Sequence, residues 1–577
     1  MKLELKRRLA KALAEVSSLS EDALAVFIEQ PKNREHGDLA FPCFSLAKQL
    51  KLPPPACAAK LAGEVSLPEG FDRVIALGPF LNFRFERGAF VQHAVDKILS
   101  GESPAAPSLP VGTKVLVEYS SPNIAKPFHV GHLRATLIGN SLDRVYRRLG
   151  YPTESINHLG DWGTQFGFVW AGCKLWGKPS EPSVAALVEL YRKATSLKEQ
   201  QEALLKAGTP LADDEQDVNA LARGYFIDLE RGEPAAVEFW QWCLDISLVY
   251  LKDTYERLGV RFDHYTGESF YSDKLDAVRE DIERAGILKH SDGALGVDLG
   301  DDGGFARIAT PDGRSLYLTR DLAAAKYRAE TFHFTKALYV VGAPQALHFQ
   351  QIKGVLKQLG CSYADDIEHV AFGHVMGMKT RGEGGAIELN HFLDEAFELS
   401  LAAYREQVSK RPVGLDEHTV AEGVARAALV FSTLNRSRLK DVHFSWEHAL
   451  AFQGDSGPYM LYALARVNGV KEKALEAGLS SSTLDVGDLT EEVAFELASV
   501  LADFDAILAL TIKDNEPAHL AAYGLEIGKA FSRAYNELKV VGEEKQKAAS
   551  RLALFEATGK VLREVIELLG MKPLERM

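Results

Sequence analysis

Cysteine is scarce in this chain: five among 577 residues, Cys43, Cys57, Cys173, Cys243 and Cys361, and no two in C-x-x-C spacing. That scatter argues against a zinc knuckle or a disulfide framework and predicts thiols serving as small apolar side chains. Long hydrophobic runs are missing as well. None reaches the roughly 20 residues of a membrane helix, and the N-terminus alternates charge with Leu and Ala in place of a signal peptide. A cytoplasmic protein without membrane contact is expected. Positive charge is in deficit: 66 Lys and Arg against 80 Asp and Glu leave a net charge of −14. Nonspecific affinity for nucleic acid is therefore weak, although a local basic stripe of complementary shape can still bind RNA. Internal repeats and low-complexity segments are also lacking.

What is present is the composition of an ordinary folded protein, 46% hydrophobic and 25% charged, with length for about three to four domains. The pattern predicts a multidomain α/β architecture. Residues 1–105 open with a helical periodicity and end in Ile75–Phe85, which alternates as a strand after a Gly-Pro turn. A Ser-, Pro- and Ala-rich linker, roughly Ser100 to Pro110, closes this small α+β region. Residues 106–393 alternate strands (Lys114–Tyr119, Leu338–Val341, Val370–Phe372) with helices, the pattern of a Rossmann-like parallel sheet. A Glu- and Leu-rich helical segment interrupts it at about 175–260. Residues 394–577 are helical almost throughout and predict an all-α bundle.

The most informative tetrapeptide is His129-Val130-Gly131-His132, where the apolar strand Lys114–Tyr119 turns into a helix from about Leu133 to Leu149. Ser121-Pro122-Asn123 and Pro127 break the chain between the two. Residues i and i+3 share a helix face, and the free N–H groups of the first turn point the same way, so the corner can hold a polyphosphate. Gly131 allows close approach of a nucleotide to the backbone. An H-x-x-H pair is also a common helix cap, so its surroundings must decide.

Those surroundings are specific. The tetrapeptide resembles the HIGH signature of class I aminoacyl-tRNA synthetases. The strings Val117-Glu-Tyr-Ser-Ser-Pro-Asn-Ile-Ala-Lys-Pro-Phe-His-Val-Gly-His-Leu-Arg134 and Asn157-His-Leu-Gly-Asp-Trp-Gly-Thr-Gln-Phe-Gly167 resemble the arginyl-tRNA synthetases of bacterial type, and the resemblance covers nearly the whole chain. It implies ATP-dependent joining of L-arginine to its cognate tRNA through an arginyl-adenylate. ATP would bring Mg²⁺, no zinc is implied, and a monomer is the family default. His129 and His132, with Gly131, would meet ATP and stabilise charge developing at its α-phosphate. The second class signature, a KMSKS loop, is degenerate here: Met376-Gly-Met-Lys-Thr380 keeps only Lys379, with Arg381 nearby and Gly382, Gly384 and Gly385 loosening the loop. The resemblance makes Lys126, just ahead of the histidines, the candidate substitute for the missing lysine.

Selecting arginine requires carboxylates or amide oxygens at fixed angles, because a guanidinium is planar and carries five donors. Tyr317 and Asp321, four apart, would share a helix face. The resemblance places Asp321 on the guanidinium and Tyr317 along its stem, Glu118 on the substrate amine or guanidinium, Asn123 on its carboxylate, and Ser121 and Gln345 around them. Such a pocket rejects analogues lacking the guanidinium by roughly 10⁴-fold or more, so no editing site is expected. For tRNA, the resemblance puts Phe80 and Asn82 of the N-terminal region on a D-loop base, with Phe83 and Phe85 in the core and Gly37-Asp38 in a turn. The C-terminal string Trp446–Arg466 resembles the family's anticodon-binding domain. Tyr459, Tyr462 and Arg466 at helical spacing, and Met577 of the closing Leu574-Glu-Arg-Met577, are its tRNA candidates. The competing readings are a class I ligase for another amino acid, which Tyr317 and Asp321 oppose, and a catalytically silent tRNA-binding relative, which the intact histidine pair and Lys379 oppose.

Overall fold

The computed structural model describes residues 2–577 except 18, 32, 102–108, 127, 213–214, 292, 311–315, 377–387 and 409–415. Its centre is a five-stranded sheet of Val115–Glu118, Thr153–Asn157, His264–Tyr265, Lys336–Tyr339 and Ile367–His369. Every neighbouring pair is parallel. Val115, Leu116 and Val117 are all buried, as expected of a parallel strand covered by helices on both faces. Across the sheet the order runs Ile367–His369, Lys336–Tyr339, Val115–Glu118, Thr153–Asn157, His264–Tyr265. The chain therefore builds outward from Val115–Glu118 in one direction and later returns to its other side. The order reverses between Val115–Glu118 and Lys336–Tyr339, and open parallel sheets bind ligands at the carboxyl ends of such a switch point.

Two expected strands are displaced. Leu338–Val341 and Val370–Phe372 are observed as Lys336–Tyr339 and Ile367–His369. Apolarity does not mark the ends of a doubly buried strand: Val340 and Val370 lie past the paired residues, yet their N–H groups still bond Glu118 O and Tyr339 O. An antiparallel sheet of Leu288–Ser291, Ala294–Asp298 and Phe305–Ala309 was not expected from the pattern at all. Its strands are too short to show a period.

The interrupting helices are Val184–Lys206, Val218–Glu230 and Pro234–Leu258. They pack through aromatic rings, Trp170 of the preceding helix lying 5.1 Å from Tyr225 and 4.9 Å from Phe239. The N-terminal region holds an antiparallel sheet with Phe80–Phe85 between Leu39–Pro42 and Phe71–Leu77. Gly78, at φ 57°, and Pro79 make the expected turn, which here joins two strands into a hairpin. The C-terminal bundle is built around Lys545–Leu569, buried over most of its length. One short strand within it, Val442–His443, pairs in parallel with Val375–Met376, so the chain beyond 394 returns to the parallel-sheet region before completing the bundle. Arg87, whose guanidinium lies 3.4 Å from the centre of the Phe495 ring, fastens the N-terminal region to that bundle.

Candidate active site

The chain leaving the central strand is bent into an unusual shape. Ser120, Ser121 and Ala125 have φ of 74°, 48° and 54°, a left-handed conformation that costs L-residues about 1–2 kcal/mol each. The long inserted helix Pro234–Leu258 supplies the compensation. Tyr255 Oη lies 2.7 Å from Ser120 Oγ and accepts from Asn157 Nδ2 at 2.9 Å. Ser247, two turns earlier, accepts the Ala125 N–H at 3.2 Å. Ile124 N–H donates to Gly160 O and Gly160 N–H to Pro122 O, linking the elbow to the second string.

Val130–His132 form a single 3₁₀ turn that leads into the helix Leu133–Arg148. His129 Nδ1 accepts the Gly131 N–H at 3.1 Å, and His132 Nδ1 accepts the His129 N–H at 3.3 Å. This reciprocal cap satisfies donors that a helix start leaves free. It also sets the chemistry. With both Nδ1 atoms accepting, the proton of each neutral ring sits on Nε2. Burial lowers both pKa values, that of His132 to about 4 with His129 adding to the effect. The two rings, 3.9 Å apart between centres, are thus neutral donors at physiological pH. A Cβ on Gly131 would stand 2.8 Å from the His129 ring, so a larger residue would push the ring out of its capping position.

Segment 377–387, with Lys379 and Arg381, lies outside the described residues. Its flanks are nevertheless anchored beside the histidines. Arg134 donates to His374 O at 3.2 Å, and Leu389 N–H donates to Phe128 O at 2.7 Å. Met376 is exposed at the end of its short strand. Lys126, half-buried after Ala125, pairs with no carboxylate among the described residues.

Among the arginine-site candidates, Glu118 is the last residue of the central strand and is ion-paired with Arg328, both buried. Asp321, in the helix Tyr317–Phe332, accepts from His348 Nε2 at 2.5 Å. Tyr317 opens that helix and is 74% exposed. Ser121 Oγ is buried without a hydrogen-bond partner. Asn123 is exposed and lies across Gly160. Gln345 is exposed in the turn that follows Lys336–Tyr339, one helical turn before His348. Glu118, Ser121, Asn123 and Gln345 thus share the carboxyl edge of the sheet at the switch point, and His348 links Asp321 to the same turn.

Sequence reasoning missed the charged groups behind these residues. Arg328 is one. Glu268 and Arg320, 3.5 Å apart, are others. Burial pushes the Glu268 carboxyl up to about 7; Arg320 opposes this, while Asp321 and Asp161 add to it. Asp161 of the second string is buried and accepts from Ser269 N and Oγ at 2.8 and 2.6 Å. Arg328 had a legible signal, since it lies seven residues after Asp321 and hence on the same helix face.

The outlying candidates are more scattered. Phe80 is half-buried and edge-on to Phe44 at 6.0 Å, but Asn82 is only 3% exposed, its amide turned toward Phe80 O at 3.5 Å. Phe83 and Phe85 are core, as expected. Asp38 does more than mark a turn, accepting Phe85 N–H at 2.9 Å and Arg87 Nη1 at 3.1 Å. In the bundle, Tyr459 and Arg466 both face the helix Ala518–Glu537. Tyr459 Oη lies 3.3 Å from Ser532 Oγ, and the Arg466 guanidinium is 4.0 Å from the centre of the Tyr535 ring. Tyr462 is the exposed member at 41%, and Met577 packs half-buried against the bundle core.

Three family models match the chain: the catalytic domain of class I (R) tRNA synthetases over residues 94–446, the DALR anticodon-binding domain over 460–577, and the arginyl-tRNA synthetase N-terminal domain over 3–85. The arginine–tRNA ligase of Alkaliphilus metalliredigens (strain QYMF) is 36% identical, and that of Clostridium botulinum (strain Alaska E43 / Type E3) 38% identical, each over 100% of both chains. Among solved structures, the Thermus thermophilus arginyl-tRNA synthetase superposes with a TM-score of 0.80 at 23% identity, covering 100% of this chain and 99% of its own. The Plasmodium falciparum arginyl-tRNA synthetase gives 0.77 at 23%, covering 95% and 94%.

Proposed function

The chain belongs to the arginyl-tRNA synthetases of class I, and from that premise we propose how its own residues join arginine to tRNA at the expense of ATP. The observation that carries the proposal is the histidine pair at the sheet's switch point, neutral and presenting two Nε2–H donors. ATP lies against Gly131 with its α-phosphate at the helix start, and its Mg²⁺ arrives as the counter-ion of the substrate. Among the described residues no cluster of His, Cys, Asp and Glu is suited to hold a metal. The arginine carboxylate is ionised and needs no general base. Its attack on the α-phosphorus places negative charge on the phosphoryl oxygens, where donors aligned in advance stabilise the transition state more than the ground state. Lys379 and Arg381, outside the described residues, are the groups we assign to the leaving pyrophosphate, and Lys126 supplies the cation that Met376 does not.

Asp321 grips the guanidinium with Tyr317 along the stem. Glu118, Ser121, Asn123 and Gln345 complete the pocket, and the unpartnered Ser121 Oγ is a group prepared for a ligand. The adenylate is then consumed by a tRNA held at three places: residues 1–105 at the elbow through Phe80, with the covered Asn82 behind it, residues 106–393 at the acceptor end, and residues 394–577 at the anticodon through Tyr459, Tyr462, Arg466 and Met577. Among the described residues no helix is long and apolar enough to cross a membrane; we place the enzyme in the cytoplasm as a monomer.

Asp321→Asn keeps the shape and removes the charge, and truncating one side of a buried charged hydrogen bond costs about 2–5 kcal/mol. Apparent arginine affinity should collapse while that for ATP survives. Unchanged arginine affinity would overturn the pocket. Because the loop retains one lysine, arginine-dependent exchange of pyrophosphate into ATP should be nearly absent without tRNA and appear when cognate tRNA is added. Robust exchange by the tRNA-free enzyme would overturn the account of the loop.

A further inference from the structure

Arg328 is among the largest fully buried side chains of the molecule, 1% exposed. Its guanidinium reaches across the carboxyl ends of three adjacent strands. Nη1 pairs with Glu118, the last residue of the central strand. Nη2 lies 3.2 Å from Nδ1 of His158, the first residue after Thr153–Asn157. The ring centre of Tyr339, which ends Lys336–Tyr339, is 5.4 Å from the guanidinium carbon, and that of Tyr271 is 5.7 Å away. Each quoted family string therefore contributes its second residue to this one side chain, Glu118 from the first and His158 from the second.

Its place on the helix completes the geometry. Tyr317, Asp321 and Arg328 fall at i, i+4 and i+11 and share one face, with Arg328 about 10 Å along the axis from Asp321. Long helical side chains lean toward the helix N-terminus, here toward Asp321. A buried ion pair is poor value as a source of stability, since desolvation offsets the attraction. A planar fork holding two acceptors at once is well suited to fixing position.

We propose that Arg328 is a positioning residue that sets the spacing between the Glu118 and Asp321 carboxylates, and so makes the pocket selective for the length of the arginine side chain. One end of the brace is the strand that carries Glu118; the other is the helix that carries Asp321. This rests on the arginine pocket assigned above. Asp321→Asn tests that pocket by itself, so a normal Asp321→Asn enzyme refutes the pocket, whereas a weakened one beside a normal Arg328 variant refutes only the brace.

The test is Arg328→Lys in the full-length enzyme, assayed with tRNA for KM of arginine, KM of ATP, melting temperature, and kcat/KM for arginine against homoarginine, which is one methylene longer. Lysine keeps a charge beside Glu118 but replaces the rigid two-nitrogen fork, which reaches Glu118 and His158 separately, with one freely rotating ammonium. A loosened spacing should raise the arginine KM by about tenfold or more, because misplacement on the scale of an ångström is worth up to about 10²-fold. ATP KM should move less than about twofold, and the preference for arginine over homoarginine should shrink. His158→Ala should reproduce part of this, and His158→Asn, which restores an acceptor near the Nδ1 position, should recover it; this pair decides the matter should Arg328→Lys fail to fold. A folded Arg328→Lys enzyme with wild-type arginine KM and selectivity would overturn the proposal. So would a loss in which both KM values move together while the arginine-to-homoarginine ratio stays fixed.

Discussion

The carboxyl edge of the parallel sheet and the interior of the C-terminal bundle are built on opposite terms. At the edge, Ser120, Ser121 and Ala125 hold left-handed backbone, Ser121 Oγ, Asn157 Oδ1, Arg328 Nε and Tyr339 Oη are buried without partners, and carboxylates sit beside buried cations. In the bundle, Lys545–Leu569 packs Leu, Val, Ile and Ala against its neighbours, and backbone approach is close. Gly457 comes so near the helix Glu417–Leu434 that a Cβ would stand 2.1 Å from Ala427 O. At the edge, strain and unmet polarity lie where a ligand can use them, whereas the bundle, apart from Arg551 buried between Glu491 and Glu543, is apolar and bears the stability that tolerates them. Substitutions at the edge should therefore cost activity, and those in the bundle should cost folding.

The sharpest break would come from the histidines. His129→Ala and His132→Ala should each slow adenylate formation on the order of 10²-fold, since each removes one donor aimed at the transition state. Substrate affinities should change little, as pre-steady-state kinetics would reveal. Unaltered rates in both variants would remove the edge's claim to be the reacting site. Gly457→Ala is the counterpart. Its Cβ meets backbone that cannot step aside, so unfolding in denaturant should show a loss of about 1–3 kcal/mol, with arginine and ATP KM unchanged in the folded enzyme.

The N-terminal region sharpens the contrast within a single strand. Phe80→Ala should raise the KM for tRNA with little effect on melting. Asn82 is covered, so Asn82→Ala should also lower stability, by about 1 kcal/mol. If Asn82→Ala changed tRNA KM alone, its amide would be displayed to solvent and the burial argument would be wrong.

The last contrast is in pH. The folded-state pKa of His132, about 4, lies below the 6.5 of an unperturbed imidazole, so the folded protein resists its protonation. Stability from this group is present above pH 6.5 and is lost as pH falls toward 4. Glu268, raised to about 7, acts in the opposite sense, its contribution being lost as pH rises through that value. Relative to the wild type, His132→Gln should therefore gain melting temperature between pH 6.5 and 4 and show no further change above it. A constant difference across that range would mean the ring is not buried neutral.

Much of this was legible in the residues. The order of the parallel strands and helices, the turn at Gly78-Pro79, and the helix start at His129–His132 follow from local periodicity and turn chemistry, which depend on neighbours in the chain. The same residues supplied the family, because two long strings and a degenerate loop are local facts. The exact strand ends, the antiparallel sheet at 288–309, the inward turn of Asn82, and the division of the bundle candidates between Tyr459 facing a helix and Tyr462 facing solvent were decided by packing. So were the tautomers of the two histidines, which depend on which backbone N–H each ring receives. The braces behind the pocket belong wholly to tertiary structure: Arg328 lies 210 residues from Glu118 and 170 from His158, and no period links residues so far apart in sequence. A buried charge finds its partner only when the strands that carry the acceptors lie side by side, and that juxtaposition is a property of the folded sheet.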